Sequence, residues 1–128
     1  SPEINIYITL VEKNLYKYKI VDNGPGIPYD KIPNIFGTFL YGTKFGDNKQ
    51  NRGQQGIGLS AVCMYSKLSS NKPITVYSKI SSESKIKHYE LSLDLKNNKP
   101  IILSSSLINS HVDIKSTGIV VELYIKGK

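Results

Sequence analysis

The chain has 128 residues, 39% of them hydrophobic, and carries 17 Lys and Arg against 10 Asp and Glu, for a net charge of +7. That length supports one domain with a real core, and no apolar run approaches the roughly 18 residues of a membrane-spanning helix. The single cysteine, Cys63, excludes an internal disulfide and a cysteine-based metal site.

The positive balance suits an anionic ligand such as a nucleotide or DNA. The lysines are scattered, however, and fit a solvated surface equally well. The opening Ser1-Pro2-Glu3-Ile4 has no signal-peptide pattern. The chain also lacks a starting Met, as a piece of a longer protein would.

Ile4 to Leu10 alternates apolar and polar residues, which predicts a half-buried strand. Glu12-Lys13-Asn14 reads as a turn, and Tyr16 to Val21 as the second strand of a hairpin. Asp22-Asn23-Gly24-Pro25-Gly26-Ile27-Pro28 must then be a turn or loop. Tyr29 to Phe36 predicts a short helical segment. Residues 37–55 are rich in Gly and polar residues, and a loop this long between two glycine clusters suits a lid.

A well-buried helix is expected from about Gly56 to Lys67, ended by Ser69 to Pro73. Cys63 falls within it as a small core residue. Ile74–Ile80 and Lys85–Leu95 read as a second hairpin, and Pro100–Leu103 as a further strand. Ser104–Lys115 is weakly patterned, and Gly118–Ile125 is a final strand. The order implies an α+β fold, a mostly antiparallel sheet with helices on one face.

Two stretches carry chemistry. In Asp22-Asn23-Gly24-Pro25-Gly26 a carboxylate follows a strand. It accepts hydrogen bonds only, so an exocyclic amine such as that of adenine is a fitting donor. Gly24 and Gly26 would let backbone approach a flat base. The same residues also suit an Asx-type turn.

Arg52-Gly53-Gln54-Gln55-Gly56-Ile57-Gly58-Leu59-Ser60 runs from glycines into an apolar helix. The free N–H groups of a helix start attract phosphate. Glycine permits close approach. A flexible entry to a helix is the other reading of this run.

Two familiar nucleotide motifs fail. Gly37 to Lys44 has P-loop glycine spacing, but Thr43 stands between Gly42 and Lys44. Gly53 to Gly58 reverses the dinucleotide spacing and follows no strand. His88 and His111 have no ligand partners at metal spacing.

An Asp-x-Gly-x-Gly box, a lid and then Gly-x-Gly at a helix start resembles the GHKL ATPases. Within them, the chain is similar to the B subunits of type IIB topoisomerases, the topoisomerase VI type. The similarity is carried by Asp22 to Pro28, Ile32-Pro33, Phe36-Gly37, Leu40-Tyr41-Gly42-Thr43-Lys44-Phe45 and Arg52 to Ser60.

The resemblance implies a Bergerat-type ATP-binding sandwich, incomplete at its start. Residues 1–128 would be part of that domain and residues 37–55 its ATP lid. Asp22 would bind the adenine amine, Gly24 and Gly26 would shape the base pocket, and Ile27 would pack beside it. Gly53, Gln54, Gln55, Gly56, Ile57 and Gly58 would wrap the phosphates, with Lys44 as a further contact.

Three features depart from the family pattern. The leading helix, with its water-activating Glu and Mg²⁺-holding Asn, would lie upstream, so these residues alone should not hydrolyse ATP. The transducer domain would lie beyond Lys128. Where the family has Gly-Thr before the last strand, Thr117 precedes Gly118 and Ile119 follows.

The implied cofactors are ATP and Mg²⁺. The implied partners are a DNA-cleaving, Spo11-like topoisomerase VI A subunit, a second B subunit and double-stranded DNA. The implied location is intracellular: the nucleus of a eukaryote, otherwise the cytoplasm. The competing readings are another GHKL ATPase, such as a histidine kinase or a MutL- or Hsp90-like enzyme, and a non-catalytic interaction module on the same fold.

Overall fold

The computed structural model describes residues 3–33, 65–94, 96–97 and 99–127. Its strands are β1 (Ile4–Glu12), β2 (Leu15–Asp22), β3 (Ile74–Lys79), β4 (Ile86–Asp94), β5 (Lys99–Ile108) and β6 (Gly118–Lys126). They form one sheet in the order β1-β2-β6-β3-β4-β5. Every pairing among them is antiparallel. A 3-10 turn at Tyr29–Lys31 and a helical stretch at residues 65–70 lie between β2 and β3 in the chain. This is an α+β arrangement, as the sequence predicts. No helix among the described residues is long and apolar enough to cross a membrane.

The last strand in sequence is central in space. β6 pairs with β2 on one side and β3 on the other. Its consecutive Val120 and Val121 are both buried, one on each face of the sheet. On one face Val121 and Leu123 pack with Ile74, Val76, Leu91 and Leu93, and Ile32 closes over them. On the other face Val120 packs with Ile86 and with Ile114, which residues 109–117 bring down onto the sheet. Burial on both faces is why β6 reads as a nearly continuous apolar run.

Local chemistry sets the ends of the elements. Asn14 takes φ 62 in the turn between β1 and β2, a conformation Asn tolerates better than most residues. The helical stretch runs through Ser70, past the expected end at Lys67. Ser70 Oγ lies 3.0 Å from Ser66 O and 2.9 Å from Tyr124 O and shares its one proton between these two acceptors, which holds the extra turn against β6. Asn71 then takes φ 58, and its N–H donates to Lys67 O at 3.1 Å. This left-handed cap ends the helix.

Two expectations are corrected. β1 is exposed along its whole length, not half-buried. It is an edge strand, and its row Ile4, Ile6, Ile8 and Leu10 lies beyond the buried cluster of the described residues. β5 continues to Ile108, past the expected end at Leu103. Ser104, Ser105 and Ser106 pair with Glu90, Tyr89 and His88. Backbone pairing carries this edge strand where side-chain alternation gives no signal.

The face carrying Val120 has a polar margin. Lys19 donates to Asp113 at 2.7 Å, and Lys17 lies 3.5 Å from Glu122. Tyr77 stacks on His88 with ring centroids 4.6 Å apart and meets His111 at 4.3 Å. His111 Nδ1 accepts the Asp113 N–H at 3.0 Å, which requires that nitrogen to be unprotonated. Burial holds the His111 pKa below its ordinary value, against the opposing pull of Asp113 and Glu122.

The unfolded chain therefore binds a proton here more readily than the folded one does. Stability is expected to be full above about pH 6.5 and to decline as pH falls through that value. Thermal melts across pH should show this decline, and His111→Gln should flatten it. An equal decline in the variant would assign it to other groups.

Candidate nucleotide-binding site

Asp22 ends β2 opposite Ile119 of β6, and Ile119 lies opposite Ser78 of β3. Residues in register point to the same face. Asp22, Ile119 and Ser78 therefore form a row across three strands at one end of the sheet, on the face that Ile32 covers. The chain leaves β2 at Asp22, passes close to Gly118 at the start of β6 and reaches β3 at Ile27. Ile119 packs against the buried cluster of that face.

The loop is fixed at four places. Asp22 Oδ1 accepts the Gly24 N–H at 2.8 Å. The Asn23 N–H donates to Glu3 O at 3.1 Å, and the Glu3 N–H donates back to Asn23 Oδ1 at 2.6 Å. Thr117 Oγ1 donates to Gly24 O at 2.8 Å. Ser78 Oγ accepts the Ile27 N–H at 2.8 Å and donates to Ile27 O at 2.9 Å.

Glycines let the loop lie this close. Gly26 has φ +78, and a Cβ there would overlap the Lys79 carbonyl. Gly118 has φ +151, and a Cβ there would stand 2.7 Å from Asp22 O. Neither position leaves room for a side chain without moving backbone.

The Asx-type turn and the adenine reading are compatible. The turn uses Asp22 Oδ1. Among the described residues the Gly24 N–H is the one donor to this carboxylate, and it uses Oδ1; a carboxylate oxygen accepts hydrogen bonds only, as an exocyclic amine requires. An acceptor at this position suits the exocyclic amine of adenine. Gly24, Gly26 and Ile27 lie on the same anchored loop.

Lys44, Gly53, Gln54, Gln55, Gly56, Ile57 and Gly58 lie outside the described residues, as does the span 37–55. Thr117, offset by one from the family pattern, holds the loop through its hydroxyl instead. Sequence reasoning missed Ser78. The signal was present: Ile74, Val76 and Ser78 fall on one side of β3, so a polar residue occupies an inward position.

A family model described as histidine kinase-, DNA gyrase B-, and HSP90-like ATPase matches residues 1–97. The chain belongs to this ATPase family. It is 43% identical over 99 residues to the B subunit of Type 2 DNA topoisomerase 6 from Natronomonas pharaonis, covering 77% of this chain and 12% of that protein. The same-named protein of Archaeoglobus fulgidus is 41% identical over 102 residues, covering 80% of this chain and 17% of its own length. That of Saccharolobus solfataricus is 32% identical over 124 residues, covering 95% and 23%. The chain therefore spans less than a quarter of the length of these curated relatives.

Proposed function

We propose that this chain is the ATP-binding part of a type IIB DNA topoisomerase B subunit. The observation that carries the reading is an anchored, glycine-bearing loop led by a carboxylate that takes one hydrogen bond, at Oδ1, among the described residues. It lies in a chain similar over most of its length to Type 2 DNA topoisomerase 6 B subunits.

In this reading Asp22 Oδ2 accepts from the adenine amine. Gly24 and Gly26 bring backbone against the base, and Ile27 packs beside it. Gly53 to Gly58 present backbone N–H groups to the phosphates, and Lys44 adds a cation from the lid. Mg²⁺ accompanies the phosphates. The described residues offer no cluster of three His, Cys or carboxylate ligands for it. The resemblance assigns the metal-holding Asn and the water-activating Glu to the leading helix.

ATP binding in the intact protein would join two B subunits around one DNA duplex, and hydrolysis would release them. A partner A subunit would cut and rejoin the second duplex. The compartment is intracellular.

The expected result is that a non-hydrolysable ATP analogue with Mg²⁺ converts the intact protein from monomer to dimer in sedimentation, while the GTP analogue does not. A mass that is unchanged by saturating ATP analogue would contradict the gating role.

A further inference from the structure

We propose that Ser78 is a positioning residue for base recognition, and that Thr117 completes the same clamp. The inference rests on the ATP-binding reading above and goes beyond it. It identifies what decides where the recognition loop sits.

Ser78 is fully buried on β3. A hydroxyl has one proton to donate and can also accept, and Ser78 uses both capacities on one residue, Ile27. This pairing stands in for a strand partner. It satisfies both backbone groups of Ile27 where the loop has no ladder to join. Gly26, one residue earlier, rests directly on the Lys79 carbonyl, so β3 sets the height of the loop. Thr117 does the equivalent at the other end by donating to Gly24 O. Asp22 is the fixed start of the loop, through its register with Ile119.

The distance between the carboxylate and the backbone that faces the base is therefore set by two hydroxyls that need not touch the nucleotide.

A residue that merely stabilised the domain would change the binding of all nucleotides together. A positioning residue changes discrimination between bases. The test measures the affinity of the intact protein for non-hydrolysable ATP and GTP analogues, with hydrogen exchange at the Ile27 amide.

Ser78→Ala is expected to weaken ATP-analogue binding about tenfold, the scale of losing a buried hydrogen bond. It should lower the ATP-to-GTP preference and speed exchange at Ile27. Thr117→Val keeps the shape and removes the hydroxyl. It should narrow the same preference, and it decides the matter if Ser78→Ala does not fold. A folded variant with unchanged preference overturns the clamp and leaves the ATP-binding reading standing. Wild-type protein that binds neither analogue overturns both.

Discussion

Asp22→Asn is expected to weaken ATP-analogue binding about ten- to a hundredfold, because a hydrogen bond to a charged group contributes about 1.5–3 kcal/mol. The substitution separates the two jobs of this side chain. Asn retains Oδ1, so it can still accept the Gly24 N–H and keep the turn. It replaces Oδ2 with an amide nitrogen, which donates and cannot accept from adenine. The loop should keep its shape while ATP loses its advantage over GTP. Titration of both analogues into wild type and variant would check this. An unchanged ATP-to-GTP ratio would count against the adenine role.

Gly26→Ala should do comparable damage by a different route. At φ +78 an added Cβ is strained in any surroundings, at about 1–3 kcal/mol for such a backbone. Here it would also overlap the Lys79 carbonyl oxygen, with the carbonyl carbon 2.9 Å away. Both sides of that contact are backbone, so no side chain can rotate to relieve it. The loop must lift from β3, breaking the two bonds between Ile27 and Ser78. ATP-analogue binding should fall at least about tenfold, and the melting temperature should drop.

Gly24→Ala is the matched control. Its Cβ would meet the Asp22 carboxylate oxygen at 3.1 Å, a side-chain atom able to shift slightly. Its effect should be clearly smaller. Equal effects at the two glycines would contradict the close-approach explanation.

Much of the fold is legible in the sequence because hairpins are local. The alternation in Ile4 to Leu10, Tyr16 to Val21 and Ile74 to Ile80 marks strands that pair as expected. The central place of β6 is not legible. Its pairing with β2 joins residues about a hundred positions apart in the chain, and no local pattern reports such a partner. The exposure of β1 is hidden for a related reason. Its alternation shows that the strand has an apolar side, not that anything covers it.

The site divides in the same way. Asp22, Gly24 and Gly26 are visible as residue types suited to a base-binding turn, and the structure places them on one anchored loop. The supports of that loop are not visible as a motif. Thr117 sits far along the chain, and its hydroxyl reaches Gly24 only because β6 inserts beside β2. Ser78 resembles any serine in an alternating strand until its position on the apolar side is counted. Even then, that count points to a buried hydroxyl and not to Ile27 as its partner.

The most direct measurement is calorimetric titration of a non-hydrolysable ATP analogue with Mg²⁺ into the intact protein, beside the GTP analogue. Saturable one-to-one binding of the ATP analogue, with the GTP analogue at least about tenfold weaker, is expected if Asp22 reads the exocyclic amine. A folded protein that binds neither analogue, or both equally, would contradict adenine recognition at this loop. Absence of binding would favour a non-catalytic interaction module on the same fold.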